Sequence, residues 1–171
     1  MRLHTMIPFR GGAHFRAVAA LGTALLVLAC GDSDGQGPER QAQRDLIANA
    51  SDWAELGITD YTFTFTRTCF CPVDLFRPAE VVVRGGVIQS ATYVDDGQPV
   101  DPGYLPSYQT IDELFETITD ALRRDAVVLD VTYDPDLHYP THGYIDISEQ
   151  IADEEQGFTA SDLVPLAAEQ S

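Results

Sequence analysis

The sequence predicts an α+β domain: one antiparallel sheet of about six strands with two helices on one face. Three observations carry that expectation. Two segments place apolar residues at helical spacing, several shorter ones alternate or run apolar over strand length between Gly/Pro turns, and helix followed by three strands occurs twice along 39–171. The 171 residues suffice for one domain plus a processed segment, and 44% apolar content supplies a packed interior.

The first helix is predicted over 40–56, where Leu46, Ala50 and Trp53 fall at i, i+4 and i+7 and Ile47 and Ala54 widen the stripe. Gly57 stands where a left-handed cap residue ends a helix, with Ile58 placed to fold back on the last turn. Next, Tyr61-Thr62-Phe63-Thr64-Phe65-Thr66 alternates aromatic with hydroxyl, the pattern of a strand with one buried and one wet face. Strands over 79–84 and 87–94 flank Gly85-Gly86, a pair suited to a two-residue hairpin turn. The Asp-, Gly- and Pro-rich tract 95–108 reads as loop. Thr110-Ile111-Asp112-Glu113 is a capping box. It opens a second helix with Ile111, Leu114, Phe115, Ile118 and Leu122 on its buried stripe and Arg123 and Arg124 complementing the dipole at its end. Strands follow over 126–133 and 144–147, with a weaker last one over 158–163. The order allows two α-β-β-β units sharing one sheet, although residue identity between the halves is negligible.

The N-terminus gives the address. A basic stretch without acids (1–16) precedes an apolar run (17–28) that is too short to span a bilayer, and the run ends at Ala29-Cys30. Val27-Leu28-Ala29-Cys30 resembles the lipobox of bacterial lipoproteins, so 1–29 is expected to be a signal peptide and Cys30 the lipidated first residue. Residues 30–38 then form a flexible Gly/Asp/Ser/Pro tether and 39–171 a single domain. The expected location is the cell envelope, lipid-anchored and facing the periplasm or exterior, with the outer membrane favoured where the cell has one. The mature part carries seven arginines, no lysine and all 27 acids, a net charge of −20. That charge repels nucleic acid.

Several landmarks stand together: Trp53, Gly57, the aromatic strand, Cys69-Phe70-Cys71-Pro72, Val81-Val82-Val83-Arg84-Gly85-Gly86, Asp112-Glu113-Leu114-Phe115, Val131-Thr132-Tyr133-Asp134 and Tyr139-Pro140. Over 53–163 this set resembles a family of small bacterial envelope lipoproteins defined only as a domain of unknown function. The paired cysteines after an aromatic strand are its most specific mark. The resemblance implies no activity. One position departs from it: where the family tends to place glycine before Tyr-Pro, this chain has His138.

Candidate chemistry is sparse. Cys69 and Cys71 can pair only with each other once Cys30 is acylated, in an oxidising compartment. In an extended strand their Cα atoms lie about 6.6 Å apart with side chains that do not point together, so a bridge needs a bend, which Pro72 allows. A structural disulfide, a redox- or ligand-reactive pair and two free thiols all remain open. His138 and His142 are the only mature histidines, and Pro140 between them excludes a helical metal clamp. Asp134 and Asp136 come nearest to a hard-cation site, but lack the glycine and distal glutamate of a calcium loop, and Asp134 suits a turn-capping role instead. No Ser-His-Asp set, phosphate-binding glycine loop or zinc helix motif is present, so neither a catalytic residue nor a cofactor is expected. The expected function is a non-enzymatic envelope module that binds an unknown protein, peptide or other ligand through its sheet face or an edge strand. The alternative is a thiol-active or cation-binding protein using Cys69/Cys71 or the Asp134/Asp136 loop.

Overall fold

The computed structural model describes residues 37–151 and 153–167. The segment expected to be a signal peptide, Cys30 and most of the expected tether lie outside them.

Helix α1 (Pro38–Leu56) starts two residues before the apolar period does, because Pro38 at its first turn gives up an N–H that would have had no helical partner. It ends at Gly57, whose φ of 61° is the left-handed cap. Its buried ridge is narrower than the sequence suggests. Leu46 and Trp53 are buried, whereas Ile47 is 62% exposed and Ala54 is also exposed. The cause is geometric: α1 touches helix α2 (Ile111–Arg123) and strand β4 (Val128–Tyr133) along one ridge and leaves its flank open. Helix α2 has the predicted capping box, in which the Thr110 hydroxyl accepts from the Glu113 amide at 3.2 Å and the Glu113 carboxylate accepts from the Thr110 amide at 2.7 Å.

The remaining strands are β1 (Tyr61–Thr68), β2 (Ala79–Arg84), β3 (Val87–Tyr93), β5 (Pro140–Asp146) and β6 (Gln156–Pro165). All pair antiparallel in the order β3-β2-β1-β6-β5-β4. One six-stranded antiparallel sheet with two helices is thus the observed α+β fold. Gly85 and Gly86 both take positive φ, 55° and 74°, and close the β2–β3 hairpin as their freedom allows. At the other end of that hairpin Arg77 lies 3.7 Å over the Tyr93 ring and is held by Asp95 and Asp96.

The C-terminal strands differ from expectation. β4 starts at Val128 rather than 126, and β5 begins at Pro140, four residues earlier than predicted. The last strand, expected to be weak, is the longest at 10 residues and lies at the centre of the sheet between β1 and β5. A bulge explains both its length and its faint pattern. Thr64 opposes Ser161 and Thr62 opposes Val164, so Asp162 and Leu163 share one partner position, and Asp162 takes φ 55°. The bulge returns Leu163 to the buried face after Ala160, a spacing of three that breaks the period of two.

Tyr61, Phe63 and Phe65 of β1 form the spine of the core, each 1% exposed or less. Tyr61 meets both helices: its ring stands edge-on to Trp53 at 5.7 Å, and its hydroxyl accepts the Ile111 amide at 2.9 Å. Trp53 in turn donates its indole N–H to Asp112 at 3.0 Å. Both helices therefore pack on the same face of the sheet. The opposite face carries Thr62, Thr64, Thr66, Ser90, Thr159 and Ser161, half-buried or exposed.

Candidate functional site

The loop after β1 holds the sharpest chemistry in the sequence. Strand pairing ends at Thr68, the chain bends, and Cys69 and Cys71 are joined by a disulfide with Cα atoms 5.3 Å apart. The bend draws the Cα atoms closer than the roughly 6.6 Å of an extended i, i+2 pair. Cys71 packs against the core, and Leu75 in the following 3-10 turn (Val73–Phe76) is 8% exposed and pins the loop from its other end. Phe70, between the cysteines in sequence, is 82% exposed, Val73 is 75% exposed, and Phe76 is partly exposed. A phenylalanine left in water forgoes about 1.5–3 kcal/mol of burial energy.

Asp134 and Asp136 are not brought together around an open site. Asp134 Oδ1 accepts the amides of Asp136 at 2.9 Å and Leu137 at 2.7 Å, and the Asp134 backbone pairs with Tyr139 and His138. The carboxylate is the cap of a tight turn. His138 sits in that turn at φ 63°, the left-handed conformation in which glycine carries no steric cost. Its Nδ1 lies 3.8 Å from the Asp52 carboxylate. His142 belongs to the open sheet face beside Thr132 and Thr159, away from His138. Among the described residues no three His, Cys, Asp or Glu side chains converge as a metal cage.

Two concavities flank α2. One, about 460 Å³, is polar, and four of the charged groups that line it, Arg67, Glu113, Asp120 and Arg124, already serve the fold. Arg67 donates to the Ser107 carbonyl at 2.6 Å, Glu113 closes the capping box, and Asp120 pairs with Arg123 and Arg124. Burial pushes the Arg67 guanidinium below its ordinary range. Tyr108, which also lines this recess, has a buried hydroxyl without a hydrogen-bond partner among the described residues, and burial pushes its phenol up to about 12.

The other concavity is an apolar groove of about 770 Å³ between α1 and the C-terminal end of α2. Leu46, Ile47 and Ala50 form one wall, Leu122, Val127 and Leu129 the other. Ile47 is 62% and Val127 49% exposed. Sequence reasoning misses this groove, since periodicity assigns Ile47 to the core. The available signal is charge: Arg40, Arg44, Arg123 and Arg124, on α1 and at the end of α2, are four of the seven arginines after position 29. No helix among the described residues is long and apolar enough to cross a membrane.

Residues 45–165 match the family model of a family of unknown function, DUF6174. No curated protein and no solved structure matches the chain.

Proposed function

We propose, from a chain that belongs to this family of unknown function, that the protein is a lipid-anchored binding module of the bacterial cell envelope whose contact point is the bridged loop 69–76. The exposure of Phe70 carries the reading: an aromatic side chain left exposed on a short disulfide-closed loop, with Val73 and Phe76 also exposed, matches the aromatic enrichment of protein-binding surfaces. The bridge holds the loop in one shape, so a partner meets a preorganised surface and less ordering entropy is lost on binding. The N-terminal sequence supports the address, with Cys30 as the acylated residue and 1–29 as the signal removed before it.

Two measurements test the two parts. Intact-mass analysis of the membrane-extracted protein is expected to find a diacylglyceryl group on Cys30 and none after Cys30→Ala. A photo-crosslinking residue in place of Phe70, in intact cells, is expected to yield a discrete protein adduct. The same residue in place of Val87, equally a surface position at 60% exposure, is expected to yield none. Absence of an adduct at 70, or the same adduct from both positions, removes the loop as the contact point.

A further inference from the structure

We infer that the apolar groove between α1 and α2 is the face on which the domain rests against the surface of the bilayer that holds its anchor, an inference that rests on acylation at Cys30.

Three observations converge on this occupant. The first is apolar exposure, with Ile47 and Val127 standing out from the groove walls. The second is charge. The segments that form the groove, 38–50 and 119–129, hold four arginines against four acids, Glu39, Asp45, Asp120 and Asp125. The rest of the mature chain holds three arginines against 23 acids. An anionic headgroup layer repels the strongly acidic surfaces and lets this charge-balanced apolar face approach within a Debye length, about 10 Å. Arginine stems also lie along apolar surface while their guanidinium groups reach the headgroups. The third is reach. Pro38 lines the groove and stands eight residues after Cys30. At full extension those eight residues span at most roughly 28 Å, less than the width of about 35 Å expected of a domain this size. A leash shorter than the domain keeps the groove end nearest the lipid.

The test uses the acylated full-length mature protein in vesicles of phosphatidylethanolamine, with and without phosphatidylglycerol, containing a nitroxide-labelled lipid. A fluorescent residue is placed at 47, at 127, or at 87 on the distant β2–β3 hairpin. Quenching is expected to be several-fold stronger at 47 and 127 than at 87. With phosphatidylglycerol present, it is expected to fall toward the level at 87 in the Arg123→Glu/Arg124→Glu double variant. Equal quenching at all three positions overturns the proposal. So does shielding of 47 and 127 from water that rises with protein density without lipid quenching, which identifies a second copy as the occupant. If the mature protein carries no acyl group, the anchoring reading fails separately. A maleimide phospholipid coupled to the Cys30 thiol then restores the tether, and the same comparison of positions decides the groove.

Discussion

At the scale of single residues, Tyr61 is the point where sequence pattern becomes tertiary structure. Its ring belongs to the alternating strand that the sequence announces, but its hydroxyl does something alternation cannot forecast: it accepts the Ile111 amide at the start of α2, one of the N–H groups a helix leaves without an internal partner. Tyr61→Phe keeps the ring and removes the acceptor, leaving a fully buried amide unsatisfied. A loss of about 1–3 kcal/mol is expected, read as a lowered urea midpoint with an unchanged slope. An unchanged midpoint would mean that the capping box alone satisfies the helix start. The same limit of legibility applies to Trp53 and Phe70. Periodicity identifies Trp53 as an anchor because burial follows helical spacing, but its hydrogen bond to Asp112, 59 positions away, is set by how the two helices meet. The exposure of Phe70 is readable only once the fate of its neighbours is settled, since nothing local distinguishes a strand that continues past Thr68 from one that turns to close a disulfide.

At the scale of elements, β1, the β2–β3 hairpin and α2 are legible because each follows one unbroken rule: alternation, a Gly-Gly turn, a capping box with a 3.6-residue stripe. β5 and β6 outrun their predicted lengths because bulges interrupt their period. Asp162 is the extra residue of β6, and in β5 Thr141 falls between His142, opposite Thr132, and Pro140, opposite Tyr133. A one-residue insertion reverses the apparent facing of every later side chain, so a pattern count loses the strand. Gly143 marks a further feature hidden in that region. It lies mid-strand in β5 with the Phe158 ring of β6 laid directly across it, and a Cβ there would stand 2.2 Å from the ring. The ring is 4% exposed and packed within the core, so it has no free direction in which to yield. Gly143→Ala is expected to cost about 1–3 kcal/mol as overpacking. Adding Phe158→Leu, which trims the opposing atoms, should make the double variant less destabilised than the sum of the two single changes. Strict additivity in thermal melts would show that the ring moves aside freely.

At the scale of the whole molecule, the sequence suggests two α-β-β-β units, and the element order does repeat. The sheet order shows why the halves are nevertheless not equivalent. Superposing β1-β2-β3 on β4-β5-β6 keeps their order across the sheet but reverses their direction, and a rotation that does this also exchanges the two faces of the sheet. Both helices lie on the face where Tyr61 points, so no rotation relates the halves. The domain is one cooperative unit joined along β1 and β6, and its core phenols should be released together. Five of its seven tyrosines, Tyr61, Tyr93, Tyr108, Tyr133 and Tyr139, are held above the ordinary value near 10, in each case chiefly by burial; Tyr108 and Tyr133 reach about 12. A pKa raised on folding contributes stability that is fully present below the unfolded value near 10 and is lost as pH rises through the folded value. The chain makes this window simpler. It has no lysine, and Cys69 and Cys71 are bridged, so tyrosine dominates proton release between about pH 9 and 12. Stability is therefore expected to be nearly flat up to about pH 9 and to fall steeply between about 10 and 12, by about 1.4 kcal/mol for each tenfold difference in proton affinity between the folded and unfolded chain. The absorbance of these five phenolates should rise together with loss of near-ultraviolet circular dichroism, as the buried group ionises with unfolding. A smooth rise with the aromatic signal intact would show that water reaches the Tyr61 face without opening the sheet.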